Sequence, residues 1–209
     1  SKAENGPYGP LAEASQLACR QNFSILTTDG YWNDQSNYDN KVGNADNTDG
    51  DKITESSTKA SYQYTAGAPY KDGHTDTLAD VAMHYWKTDL RTDLDNNVPS
   101  DYSKVAAEND QIGRDPAFWQ HMVTFAISIG LKAKSGLSSV SQVTTATTWA
   151  APGNDDTDNI DDLLHAAVNG RGTFVSASSP QTFADGLAAA LAKISERTAA
   201  FSNAGASDS

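Results

Sequence analysis

Apolar positions along the chain cluster into short patterned runs, set apart by long polar ones. From Pro10 to Arg20 the sequence PLAEASQLACR puts Leu11, Ala14, Leu17 and Ala18 on one stripe behind a proline suited to a first helical turn, which predicts a helix. FSILTT at 23–28 then reads as a strand buried on both faces, ended by a turn at Asp29-Gly30 where glycine tolerates positive φ. Thr75–Leu90 predicts a second helix, with capping-box spacing between Thr77 and Asp80 and a face shared by Leu78, Val81, Ala82, Tyr85 and Trp86. After a helical turn at Asp115–Trp119, HMVTFAISIG predicts another buried strand. Asn159–Asn169 reads as a short helix closed by Gly170 in the left-handed position just past its end. GTFVSAS makes a third strand, and Ser179-Pro180 opens a last helix reaching about Thr198, with Phe183, Leu187, Leu191 and Ile194 at helical spacing.

Strands alternating with helices predict an α/β, Rossmann-like domain: a mostly parallel sheet with flanking helices. One unit is expected over 1–200, followed by a frayed tail at 201–209. Residues 31–74 form a long polar insertion rich in Asn, Asp, Gly, Ser and Thr. Its single alternating patch, Ser61–Thr65, suggests a hairpin, and insertions of this length are usually functional. Residues 91–114 and 132–157 read as loops, the latter with a β-branched patch at Val143–Trp149.

Charge narrows the function classes. The 209 residues carry 27 acids against 15 bases, a net charge of −12, and no basic run, which argues against a nucleic-acid partner. The longest mainly apolar stretch, Met122–Leu131, is far below the roughly 20 residues of a membrane helix. The chain does not open on a charged segment followed by an apolar one, so the signal of an exported parent is expected upstream of Ser1. Cys19 is the single cysteine, which excludes an internal disulfide; it reads as a small buried hydrophobe or as the partner of a cysteine elsewhere in a longer protein.

Candidate chemistry is sparse. Thr27-Thr28-Asp29-Gly30 sits at the carboxyl end of a buried strand, where ligands of parallel sheets collect. Asp29 there either caps nearby backbone or supplies an oxygen to Mg²⁺ or Ca²⁺. The acidic stretches 46–51 and 155–158 lack the spacing of an EF-hand and are expected to be solvated loops. Asp80 with His84, and Asp161 with His165, stand four apart, so each suits a surface ion pair or half of a metal site, and helix-surface pairs are expected. No G-x-S-x-G, P-loop or dinucleotide fingerprint occurs, and no nucleophile–base pair suggests itself, so no enzyme is expected.

Taken in order, the segments TTDGYWN, VGNADNTDGDKIT, DTLADVAMHYWKTDLRTDLDNNVP, DPAFWQHMVTFAISIG and NIDDLLHAAVNGRGTFVSA resemble the type IV pilus tip adhesin family of the PilC/PilY type. The likeness runs from about Gly9 to about Ile194 and concerns a von Willebrand factor A-like domain. Such a domain implies a parallel, doubly wound sheet with a metal-ion-dependent adhesion site at the strand ends. Asp29 matches the aspartate of that site's TDG turn. Gly9, in Tyr8–Ala14, stands where the family has its loop threonine, and no DxSxS loop is present, so the site is incomplete. The chain reads as the second half of such a domain.

The resemblance implies an extracellular, cell-surface module of the pilus tip that serves adhesion, pilus biogenesis or twitching motility. Its partners would be other tip or minor pilin proteins, or a host or abiotic surface. The candidate contact residues are Tyr31, Trp32, Asn33 and Asp34 beside Asp29, because aromatic and amide groups next to a carboxylate suit a protein or glycan. Tyr31 and Trp32 equally suit the sealing of the insertion onto the domain. Ca²⁺ or Mg²⁺ is the candidate ion. The alternative is a self-associating structural subunit whose neighbouring copies complete the sheet of an extracellular filament.

Overall fold

The computed structural model describes residues 18–32, 38–101 and 112–204. The helix expected over 10–20 falls almost wholly outside them. In chain order the elements are β1 (Asn22–Thr28), β2 (Ile53–Thr54), β3 (Ser61–Tyr62), α1 (Leu78–Lys87), β4 (Met122–Ile129), α2 (Asp158–Asn169), β5 (Arg171–Ala177) and α3 (Pro180–Ala204). β1, β4 and β5 form a parallel sheet in that order, with Asn22 opposite Met122 and Ser128 opposite both Thr28 and Ser176. β2 and β3 pair antiparallel inside the insertion, the hairpin expected there.

Alternation along the strands feeds two cores. Phe23 and Ile25 of β1, with Val123 and Phe125 of β4, pack against Ala190 and Ile194 of α3. Leu26, Ala126 and Phe174 point the other way, into the larger core with α1 and α2. The sheet is thus covered on both faces, which is why its central strand carries no polar alternation.

Two helices bury stripes different from those expected. On α1 the buried residues are Ala79, Asp80, Ala82, Met83 and Trp86, while Tyr85 remains 45% exposed. The Thr77–Asp80 capping box is present in both directions, so the start of α1 was encoded locally even though its inward face was not. On α3, Gly186 and Ala190 are buried and Leu191 is 50% exposed. A β-carbon at Gly186 would stand 2.8 Å from Val175 Cγ1, so that helix approaches β5 at a distance only glycine permits.

The insertion is a core element. Ile53, Tyr64 and Tyr70 are buried with Met83, Trp86 and Trp119. Tyr62 stacks on Trp119 at 5.7 Å between ring centroids, and Tyr64 meets Trp86 edge-on at 6.2 Å. Buried Asp115 ties this cluster to the opposite side of the sheet. Its carboxylate accepts from the Trp86 indole and lies 3.1 Å from His121 Nε2 and 2.7 Å from Arg197 Nη1 of α3. Burial alone would raise the Asp115 pKa, but the nearby His121 and Arg197 hold it well below the ordinary carboxylate range.

The junction of α2 and β5 departs from the expected cap. Gly170 has φ −81°, and the left-handed residue is Arg171, with φ 57°. Glycine is required on either side of it by contact: β-carbons at Gly170 and Gly172 would lie 2.5 Å from Thr124 Cβ and 2.0 Å from the Thr124 carbonyl oxygen. A non-glycine residue in the left-handed region costs roughly 1–2 kcal/mol. Arg171 is fully buried there, its guanidinium 3.7 Å from the Tyr70 ring and 4.1 Å from Trp86, so cation–π contact offsets the strain.

Gly172→Ala should therefore destabilise by about 3 kcal/mol or more, since backbone rather than a mobile side chain blocks the methyl. Gly30→Ala, with nothing within 4 Å of the new carbon, should change the urea midpoint little. Equal midpoints for the two variants would contradict the close approach of β5 to β4.

Candidate functional site

At the carboxyl edge of the sheet the strand-end turn is built locally. Thr28 Oγ1 donates to the Gly30 carbonyl at 2.6 Å, and the row Thr28, Ser128, Ser176 crosses all three strands. Ser128 and Ser176 both donate to the carbonyl of Leu131, which fastens the chain after β4 over the strand ends. Asp29 is exposed beside this row. Tyr31 and Trp32 are half-buried against the large core. The Trp32 carbonyl accepts from Asp155 N at 3.1 Å and Asn159 Nδ2 at 2.8 Å, so this segment is held over the start of α2. Trp32 also lines an apolar hollow with Tyr38, Leu78 and Val81. Asn33, Asp34 and the Tyr8–Ala14 loop lie outside the described residues.

The more developed polar site is on α2. Ile160, Leu163, Leu164, Ala167 and Val168 form its apolar face, and Asp158, Asp161, Asp162, His165 and Asn169 recur along the other. Sequence pattern assigns such a stripe to solvent, yet all twelve residues of α2 are buried. Each polar side chain meets a different segment laid over it. Lys134 Nζ reaches Asp158 at 2.8 Å, and the amides of Lys134 and Ser135 donate to Asp161. Asp162 accepts from the amides of Leu78 and Ala79, both at 3.0 Å, which places a carboxylate on the free N–H groups that open α1.

His165 stands where the insertion crosses α2. Its Nε2 lies 2.6 Å from the Tyr70 carbonyl and 3.6 Å from Asp46 Oδ2; its Nδ1 lies 3.6 Å from Asp72 Oδ2. Trp149 stacks flat on the ring at 4.1 Å, sealing it from solvent. Asp46 is completely buried and also accepts from the Asp72 amide and from Asn169 Nδ2, both at 3.1 Å. One atom from each of Asp46, Asp72 and His165 falls within 4.8 Å of the others, a grouping able to hold a metal ion.

Electrostatics differ sharply across this grouping. Burial pushes Asp46 up to about 6, opposed by His165 and reinforced by Asp72 and Asp80. Burial also acts on Asp72, but its hydrogen bonds from His165 and the His74 amide outweigh it and leave the group below the ordinary range. Asp80, raised mainly by burial, accepts from the amides of Asp46 and Thr77.

Three expectations change here. The Asp46 end of the acidic stretch is interior, because the insertion folds its backbone onto α1 and α2 instead of looping into water. His165 takes Asp46, Asp72 and Tyr70 as partners, while Asp161 serves the loop after β4, so the i, i+4 pair does not form. Asp80 turns inward to cap α1 and leaves His84 against Tyr85. Sequence spacing marked His165 with Asp161 as half of a metal site but had no means of joining it to Asp46 and Asp72. A further hint was a helix whose polar face carried more acids and amides than a solvated helix needs.

Fold and site together define an open, parallel α/β domain whose polar central helix is roofed by a long insertion. No family model and no solved structure matches the chain. Among curated proteins it is 38% identical over 92% of its length to the type IV pilus biogenesis factor PilY1 of Pseudomonas aeruginosa PAO1. It is 37% and 32% identical over the same share to the proteins of that name from strains PAK and UCBPP-PA14. Over nearly all its length the chain is thus a relative of the PilY1 pilus biogenesis factors, and it spans 17% of the length of these relatives.

A pH dependence follows from the buried carboxylates. Burial pushes Asp162 up to about 6 against the two amides that favour its charged form. Its folded pKa lies above the unfolded value of 3.8, so its contribution to stability is complete below 3.8 and is lost as pH rises through about 6. Asp72 and Asp115, shifted downward, lose their contribution only as pH falls below the ordinary aspartate range. Urea midpoints should therefore decline from about pH 4 to about pH 6.5, and Asp162→Asn should reduce that slope while lowering stability at both ends. An unchanged slope in the variant would show that Asp162 does not titrate in this window.

Proposed function

We propose that the chain is a non-enzymatic, extracellular module of a pilus-tip protein, part of a von Willebrand factor A-like domain, that binds a protein or surface through its strand-end face. The observation that carries this reading is the 38% identity to a pilus biogenesis factor across 92% of the chain. The parallel sheet covered on both faces suits that domain type, and exposed Asp29 beside Tyr31 and Trp32 suits a contact rim of carboxylate and aromatic groups. Asn33 and Asp34 extend the same rim in sequence, and Asp29 is the residue to which a bound Ca²⁺ or Mg²⁺ would be assigned. Its partners are other tip or minor pilin proteins, or the surface to which a pilus attaches, and its work supports pilus assembly and twitching.

Asp29→Ala in the full-length protein of a piliated bacterium should lower surface attachment about fivefold or more without reducing secretion, the effect expected when a central contact of an interface is truncated. Tyr31→Ala should act in the same direction, with a small cost in stability. Attachment, twitching and pilus number all equal to wild type would refute the strand-end face as the binding surface.

A second reading, assembly of copies through the sheet, is favoured by one observation: among the described residues β1 and β5 each pair on one side only. Light scattering on the purified chain should then give a mass that grows with concentration. A constant monomer mass would remove this reading.

A further inference from the structure

We propose that Asp46, Asp72 and His165 bind one divalent transition ion of the zinc class, which fastens the insertion to α2. The ligands come from both ends of the insertion and from the central helix, and each is buried or nearly so, with side chains 0%, 7% and 1% exposed. Two further observations point to an ion. The Tyr70 carbonyl lies 2.6 Å from His165 Nε2, the partner that a metal-bound histidine gives its far nitrogen, so Nδ1, 3.6 Å from Asp72 Oδ2, is the nitrogen an ion would take, with release of the proton it turns towards Asp72. Asn169 is fully buried, its Nδ2 donates to Asp46 Oδ2 and to the Ala79 carbonyl, and among the described residues its Oδ1 has no hydrogen-bond partner.

Charge and chemistry select the ion. Asp46, Asp72, Asp80 and Asp162 are gathered around His165, with His74 acting on Asp72 and the Lys87 ammonium, held on the carbonyls of Ala45 and Thr48, acting on Asp46 and Asp80. A dication among four carboxylates would relieve that buried negative charge further. Ca²⁺ takes six to eight oxygens, and the two carboxylates here fall far short. One imidazole and two carboxylates supply ligand types that zinc takes, in the number of a three-ligand tetrahedral site with an open position, whose ligand atoms stand about 3.3 Å apart. One ligand atom of each residue already lies within 4.8 Å of the others, with Nδ1 3.6 Å from Asp72 Oδ2, so the ion would draw the three together to reach that spacing.

The site is separate from the strand-end face, and its test does not involve attachment. The purified chain, stripped with chelator, is loaded with zinc chloride, desalted and assayed for metal content. One zinc per chain should be retained, with a thermal midpoint raised by about 5 °C at roughly 100-fold excess over Kd, while millimolar Ca²⁺ or Mg²⁺ shifts it by less than about 1 °C. Cobalt loading should give the intense visible absorption of a tetrahedral site. Asp72→Asn and His165→Gln should lose the retained zinc, and Asp51→Asn, on an exposed loop residue, should keep it. Should the two ligand variants fail to fold, X-ray absorption of the zinc-loaded wild type decides, with a first shell of one imidazole and carboxylate oxygens expected. Absence of stoichiometric zinc in the folded wild type, zinc retained by both folded variants, or a first shell without imidazole would each overturn the proposal.

Discussion

The structure depends on satisfying the polar face of one helix that has no access to water. A buried carboxylate or imidazole without partners costs more than a domain of this size can spare. The partners for α2 all come from outside it. Residues 134–135 cover Asp158 and Asp161, the first turn of α1 covers Asp162, and the insertion covers His165 and Asn169. Loops that look dispensable by composition therefore become obligatory parts of the interior. Their irregular backbone is held by side chains from α2, in place of a ladder of neighbouring strands.

Two buried aspartate centres show how local company decides what burial does. Asp115 has His121, Arg197 and the Trp86 indole around it, and its charge is well compensated. It joins α3 on one face of the sheet to the aromatic cluster on the other. Asp46 and Asp162 have mainly amides and a shared imidazole, and their burial is compensated poorly enough to hold both near neutrality in mildly acidic solution. The same residue type thus serves as a fixed anion in one place and as a proton-sensitive junction in the other.

What was legible in the sequence divides along the same line. The three long strands, the start of α1 at Thr77 and the span of α2 are local patterns, readable from β-branched runs, a capping box and helical spacing. The inward faces were less legible, because what lies against a helix decides them. Tyr85 and Leu191 belong to apolar stripes yet face solvent, whereas Asp80 faces the interior once Asp46 is brought to it. The insertion concealed most. Tyr62 and Tyr64 sit in one short alternating patch and Tyr70 in a polar stretch without helical period, and only contact with Trp86, Trp119 and Arg171 makes them core. The partners of the His165 group lie 26 and 95 residues apart in the chain, beyond any spacing rule.

The register of β1 carries a kinetic consequence. Each of its residues pairs with one exactly a century further along, Asn22 with Met122 through Thr28 with Ser128. The entropy of closing so long a loop must be met before that pairing stabilises anything, and chains built on such distant contacts fold slowly. The pairing of β4 with β5 closes over a much shorter span, Thr124 with Arg171 and Ala126 with Phe174. Of the three strands in this sheet β1 is made first, and its pairing with β4 must wait until the chain has been made past residue 128.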